Sequence, residues 1–99
     1  MKADEAAARP DYALRLFITG MTPRSVRAIE NLRRVCDSLL KDRYDLQVID
    51  IYQQPVLAHE DQIIASPTLI KERPLPRRRI IGDLSREDRL LAGLDLAPM

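Results

Sequence analysis

Ser66-Pro67-Thr68-Leu69-Ile70 is the stretch that decides the fold, because the chain before it has a regular pattern and the chain after it does not. Pro67 has no N–H group to donate, and its ring disfavours the helical region for Ser66. A helix therefore ends before Pro67. The β-branched and apolar residues that follow predict a strand over residues 68–71.

Upstream, residues 12–19 carry the pattern of a strand. Leu14, Leu16 and Ile18 alternate onto one face, and the segment is rich in residues that favour strands. The apolar run at its end predicts that the strand becomes buried on both faces there. Gly20 then ends it.

A long helix is predicted next. Thr22 has a side-chain oxygen that can cap a helix, and Pro23 suits the first helical position. Apolar residues at spacings of three and four extend the helix to about Lys41, and they are Val26, Ile29, Leu32, Cys36, Leu39 and Leu40. Residues 44–51 predict a second strand, so this half of the chain is a βαβ unit with parallel strands.

The remaining elements are shorter. Pro55 opens a predicted helix that runs to Ile64, with Leu57, Ile63 and Ile64 available for the core. Residues 79–82 predict the return strand of a hairpin. A capping box of Ser85 and Asp88, with Asp83 and Glu87 as further acidic caps, predicts a last helix over residues 86–92 that ends at Gly93, with Leu90, Leu91 and Leu94 as core contacts. The predicted order is βαβαββα, an α/β (α+β) chain with a mixed sheet.

Composition limits the kinds of partner. The 99 residues suit one domain, here residues 12–96 behind a flexible arm of residues 1–11. Sixteen Lys and Arg against fifteen Asp and Glu give a net charge of +1, which argues against nucleic acid and anionic membrane as partners. The beginning of the chain has no hydrophobic signal core, so the cytoplasm is the predicted location.

Few residues suit catalysis, and we predict neither an enzyme nor a cofactor. Cys36 is the single cysteine and falls within the apolar stripe, which indicates a buried structural thiol. His59, Glu60 and Asp61 are consecutive on a predicted helix, and a solvated surface explains them better than a metal site.

Arg77, Arg78 and Arg79 form the densest charge in the chain. In an extended segment their side chains alternate, so at most two of them share a face. Guanidinium groups bind carboxylates or phosphates of a partner, and charged residues also protect an edge strand from aggregation. The sequence leaves these alternatives open, with nucleic acid the least favoured because few aromatic residues are available to stack on bases.

The order βαβαββα with a proline before the third strand resembles the thioredoxin fold, although Gly20-Met21-Thr22-Pro23-Arg24-Ser25 stands where that fold family carries its redox cysteines. Several blocks also resemble the KaiB family of circadian clock proteins. They are LRLFITGMTPRSVRA at 14–28, VIDI at 48–51, SPTL at 66–69, RRIIGDLS at 78–85 and GLDL at 93–96.

The KaiB resemblance implies a non-enzymatic protein whose partner is KaiC, a hexameric ATPase and autokinase. It implies two folds for one sequence, a thioredoxin-like form that binds KaiC and a resting form of order βαββααβ that shares the N-terminal βαβ half. The resting form is implied to be a homo-oligomer, a dimer or tetramer. The bound form is implied to recruit KaiA and to compete with the kinase SasA.

The resemblance also implies roles for individual residues. Arg27 and Lys71 match basic positions of the KaiC-binding face. Gly93 and Asp95 match the segment that is helical in one fold and extended in the other. Since glycine weakens a helix, Gly93→Ala is expected to favour the thioredoxin-like form. Pro67 and Pro76 are predicted to restrict the switching region.

Gln47 and Gln62 replace lysines that are common in cyanobacterial relatives. The alternative is therefore a thioredoxin-like signalling adaptor, or a stress-response regulator in a system without a full clock. A thiol enzyme is a further alternative, which the predicted burial of Cys36 disfavours.

Overall fold

A computed structural model describes residues 11–64 and 67–96 of the chain. These residues form the strands β1 (Tyr12–Ile18), β2 (Tyr44–Asp50), β3 (Thr68–Arg73) and β4 (Arg78–Ile81), and the helices α1 (Pro23–Leu39), α2 (Pro55–Glu60) and α3 (Glu87–Gly93). The predicted order βαβαββα is confirmed, and the alternative order βαββααβ is not the order of this structure. The predicted helix stop at Ser66 and nearly all of the predicted arm lie outside the described residues. None of the described helices is long and apolar enough to cross a bilayer.

The four strands make one mixed sheet in the order β2-β1-β3-β4. β1 pairs with β2 in parallel, as the predicted βαβ unit requires, and with β3 antiparallel. β4 pairs antiparallel with β3. The two strands from the ends of this order, β2 and β4, are therefore the edges of the sheet.

Each face of the sheet is covered by helices. Leu14, Leu16 and Ile18 of β1 pack in a cluster with buried residues of α1 and α3. Phe17 points to the opposite face and packs with residues of β2, β3 and α2. Leu16, Phe17 and Ile18 are all buried, which confirms that β1 becomes buried on both faces near its end.

Helix α1 begins as predicted. The Thr22 side-chain oxygen accepts a hydrogen bond from the Ser25 N–H at 3.2 Å, and Pro23 is the first helical residue. The helix ends at Leu39, earlier than the predicted Lys41. The Leu39 side chain is half exposed, so its assignment to the apolar stripe was wrong, whereas Leu40 is fully buried. Leu40, the first residue after the helix, belongs to the core cluster in place of Leu39.

Helix α2 is four residues shorter than predicted, because it ends at Glu60 and not at Ile64. Gln62 has a φ of +54°, in the left-handed region. The Gln62 N–H donates to the His59 carbonyl at 3.0 Å, and the Ile63 N–H donates to the Ala58 carbonyl at 2.9 Å. This is the Schellman arrangement that closes helix C-termini. Ile64 lies beyond it and is exposed, so its predicted core role was wrong.

The predicted capping box at the start of α3 is also wrong. The helix begins at Glu87, and the residue before it, Arg86, makes no side-chain capping bond. The Asp83 carboxylate instead accepts from the Ser85 N–H at 3.1 Å and so shapes the preceding loop. Asp88 pairs with Arg86 at 3.0 Å. The predicted core residues Leu90 and Leu94 are buried, and Leu91 packs against the same cluster.

Cys36 is fully buried in α1, and burial raises the pKa of its thiol to about 12. We expect the folded protein at pH 8 to react with a thiol reagent such as dithionitrobenzoate at least about 100-fold more slowly than the unfolded chain, since the thiolate is the reactive form. A matched control is Ser38→Cys in a Cys36→Ala background, which places an exposed thiol on the same helix. Equal rates for the two thiols would contradict this account.

Candidate functional site

A buried lysine joins β3 to the turn that follows α3. Lys71 lies on β3, paired with Leu14 of β1, and its side chain is fully buried. The ammonium group donates to the Pro74 carbonyl and to the Asp95 carboxylate, each at 2.6 Å. A buried charge needs such partners, because its desolvation is costly. In this fold the Lys71 ammonium therefore binds within the chain.

Asp95 has two roles, because its main chain closes the end of α3 and its side chain forms the ion pair with Lys71. Its φ is +60°, a left-handed conformation that aspartate tolerates better than most residues. The Asp95 N–H donates to the Ala92 carbonyl at 3.0 Å and the Leu96 N–H to the Leu91 carbonyl at 2.7 Å, so α3 also ends in a Schellman motif. The Asp95 carboxylate accepts a second bond, from Arg78 at 3.0 Å. Hydrogen bonds from Lys71 and then Arg78 lower the pKa of this carboxyl.

Gly93 is the last residue of α3 and lies against β4. A Cβ atom built at this position would stand 2.6 Å from Cγ1 of Ile80, closer than real Cβ atoms come to other atoms. A side chain at Gly93 therefore requires Ile80 to move. The contact between Gly93 and Ile80 could not be predicted from the sequence, because a loop and most of α3 separate the two residues.

The two predicted switching prolines lie on either side of strand β3. Pro67 stands immediately before β3, and its carbonyl accepts a hydrogen bond from the Gly82 N–H at 2.9 Å. Pro76 lies in the connection between β3 and β4 and is exposed. The peptide bonds that precede Pro74 and Pro76 are cis. Both predicted residues thus border the strand that carries Lys71.

Arg27 is on the surface, unlike Lys71. Its side chain is about half exposed, and Nε donates to the Asp83 carboxylate at 3.3 Å. Asn31, one turn further along α1, donates to the Asp83 carbonyl at 3.0 Å. These bonds hold the loop before α3 against α1. Arg27 and Lys71 therefore differ in accessibility, and the partner-binding role of each stays a prediction.

The three consecutive arginines alternate, as predicted. Arg78 reaches Asp95 on the face of the sheet that α3 covers. Arg77 and Arg79 reach the opposite face, where α2 lies. Arg77 pairs with the Asp61 and Glu72 carboxylates at 2.7 and 3.1 Å. Arg79 donates to the Asp61 and Gln62 carbonyls at 2.6 and 3.2 Å, and so satisfies groups at the end of α2.

Asp61 is another residue for which the prediction from sequence was wrong. It was predicted to be solvated with His59 and Glu60, yet its side chain is only 13% exposed. Its carboxylate faces Arg15 of β1 at 3.5 Å as well as Arg77. These arginines lie 46 and 16 residues away in the sequence. Ion pairs between residues so distant in the sequence cannot be predicted from the spacing of neighbouring residues.

The charged side chains of this region form ion pairs and hydrogen bonds within the chain. Between residues 11 and 96, apart from 65 and 66, no three His, Cys, Asp or Glu side chains are grouped to hold a metal ion. The charged groups instead tie together parts of the chain that are distant in sequence. They are concentrated in and around β3, β4 and the turn after α3.

Comparisons with known proteins agree with this architecture. The KaiB domain family model matches residues 15–96. The circadian clock oscillator protein KaiB of Prochlorococcus marinus strain MIT 9312 is 52% identical over 90 residues, which cover 91% of this chain and 86% of that protein.

Solved structures match the fold. The N-terminal domain of Synechococcus elongatus SasA has a TM-score of 0.71 at 24% identity, and the match covers 92% of this chain and 89% of that domain. The Drosophila melanogaster thioredoxin Deadhead has the same TM-score at 14% identity, with coverages of 95% and 88%. The predicted thioredoxin-like fold is confirmed. With a family match over most of its length and a relative more than half identical, the chain belongs to the KaiB family of circadian clock proteins.

Proposed function

We propose that this chain binds a KaiC-type hexameric ATPase and autokinase without catalysing a reaction itself, and that it modulates the partner's phosphorylation cycle by switching fold. The observation that carries the proposal is the KaiB match over residues 15–96, which includes every described strand except the first three residues of β1. The thioredoxin-like structure is the form proposed to bind. The second form has the order βαββααβ.

The contacts around Asp95 stabilise the thioredoxin-like form, and a change of fold has to break them. In the proposed second form the segment with Gly93 and Asp95 is extended, so it loses the Schellman motif and separates the Asp95 carboxylate from Lys71. The thioredoxin-like form therefore depends on contacts that one short segment makes or releases together. A partner that binds only one form shifts the population by its differential affinity.

The proposed binding face includes Arg27, whose guanidinium is exposed and held near the loop before α3. The other proposed properties follow from the family. KaiA, where it is present, joins the complex, a SasA-like kinase competes for the same partner, and the resting form is a homo-oligomer in the cytoplasm.

Arg27→Glu is expected to weaken binding to a KaiC-type ATPase at least about tenfold, because it reverses a charge at the proposed face. The surface ion pair with Asp83 that it removes is worth only about 0–1 kcal/mol, so the chain stays folded. Binding is measured by biolayer interferometry with ATP present, and folding by circular dichroism.

Arg33→Glu is the control for Arg27→Glu, since it makes the same charge change at another exposed position of α1. Equal losses of affinity in the two variants would indicate a general electrostatic effect. Unchanged affinity in Arg27→Glu would remove Arg27 from the binding face.

Gly93→Ala has two opposed effects in this structure. Alanine is favoured over glycine in a helix by about 0.5–1 kcal/mol, but its Cβ meets Ile80. We expect Gly93→Ala to raise the thioredoxin-like population more in an Ile80→Ala background than in the parent chain. The ratio of the two forms is read from the paired amide peaks in proton–nitrogen NMR spectra. An equal effect in both backgrounds would show that Ile80 does not oppose the substitution.

Asp95→Asn is expected to lower the thioredoxin-like population at pH 7, because it leaves the Lys71 ammonium without its carboxylate while asparagine keeps the left-handed backbone. The lowered pKa of Asp95 means that the pair contributes fully above about pH 4, the ordinary range of aspartate, and is lost as the pH falls through the lowered value. Asp88→Asn, which breaks an exposed pair with Arg86, is the control. Equal populations in the two variants would contradict the role of the pair.

A further inference from the structure

β4 has an open edge, since among the described residues it pairs with β3 alone. The Gly82 N–H donates to the Pro67 carbonyl at 2.9 Å, just beyond the last pair of the two strands. Antiparallel pairs alternate between those that exchange hydrogen bonds and those that do not. The register then places Arg79 and Ile81 in pairs that do not exchange hydrogen bonds with β3. Their main-chain N–H and C=O groups therefore point to the open edge.

The two edges of the sheet carry opposite charges. β4 has Arg78 and Arg79 and no carboxylate residue. β2, at the other edge, has Asp45 and Asp50 and no lysine or arginine. A strand that is added to this sheet therefore meets a basic surface at β4 and an acidic one at β2.

An open groove of about 490 Å³ lies between β4 and α3. It is lined by all four residues of β4 and by Arg89, Ala92 and Gly93 of α3, without a carboxylate. Ala92 and Gly93 have little or no side chain, so the groove stays open beneath the edge. Ile81 is 55% exposed beside it. Arg89 is exposed, and it is not a member of the ion pairs among the described residues.

We propose that β4 and this groove bind an extended acidic segment of another protein, which adds to the sheet as a fifth strand. Its backbone exchanges hydrogen bonds with the main-chain groups of Arg79 and Ile81. Its carboxylates on the groove side meet Arg89, and an apolar side chain on the other face covers Ile81. Strand addition of this kind takes affinity from backbone bonds and specificity from alternate side chains.

A second copy of the chain fits this edge less well. Pairing of two β4 edges about a two-fold axis would bring two basic strands together, and repulsion between like charges opposes this. Pairing of β4 with the acidic β2 of another copy would be a head-to-tail contact, and head-to-tail contacts that do not close into a ring form ladders that lengthen with protein concentration.

The test is an NMR titration of the full chain with a capped ten-residue peptide of alternating glutamate and valine. Binding at β4 is expected to shift the amide peaks of Arg79 and Ile81 and slow their hydrogen exchange, while the peaks of β2 stay in place. The same peptide with lysine for glutamate is expected to bind at least about fivefold more weakly, because opposed charges are replaced by like charges.

Two variants and one control variant separate the contributions of charge and of backbone hydrogen bonds. Arg89→Glu is expected to lower the affinity for the glutamate peptide at least about fivefold, and Lys41→Glu, the same charge change at an exposed position before β2, less than about twofold. Ile81→Pro removes an N–H group that points away from β3, so the sheet is kept and peptide binding is lost.

Three results would overturn the proposal. They are equal binding of both peptides, peptide-dependent shifts confined to β2, and ladders that grow with protein concentration in sedimentation without peptide binding. The inference does not depend on the ATPase proposed above, because the probe is a peptide and the readout is the position of its contact.

Discussion

The buried ammonium of Lys71 constrains three parts of the chain at once. It lies inside the sheet, where a charge without partners is costly, and it finds them in the Pro74 carbonyl and the Asp95 carboxylate. The connection after β3 must therefore turn back over the strand, and the turn after α3 must place Asp95 beside it. The Tyr12 hydroxyl adds a bond to the Leu94 carbonyl at 3.0 Å, so the first strand and the last turn are joined as well. The second half of the fold is assembled around this point.

The alternating arginines likewise bind carboxylate and carbonyl groups on both faces of the sheet. Arg78 supports Asp95 on one face, while Arg77 and Arg79 hold Asp61 and the end of α2 on the other. The short helices of six or seven residues are thus fixed by long-range charge pairs together with the burial of Ala58 and Leu90, since isolated helices of that length are unstable in water. Such segments are suited to rearrangement, because they depend on tertiary contacts that can be exchanged and not on a stable helix of their own. This is the physical basis for proposing that a clock protein with this sequence changes its fold.

Local signals in the sequence predict much of this structure. The alternation in β1, the Thr22 cap of α1 and the order of elements all depend on residues that are close together in the chain. The end of α2 was missed because Gln62 adopts a left-handed conformation that glutamine seldom signals. The burial of Asp61 and the contact of Gly93 with Ile80 depend on partners distant in sequence. The roles predicted for Arg27, Lys71, Gly93 and Asp95 came from the family resemblance, and the structure adds the contacts that these residues make.

The central claim is that one chain exchanges between two folds and that a KaiC-type ATPase selects the fold described here. The most direct measurement is a proton–nitrogen NMR spectrum of the unmodified protein, recorded alone and after addition of such an ATPase with ATP. The account predicts two slowly exchanging sets of peaks from residues 52–96, of which the partner selects the set with Lys71 and Asp95 in contact. A single set of peaks that the partner leaves unchanged would contradict it.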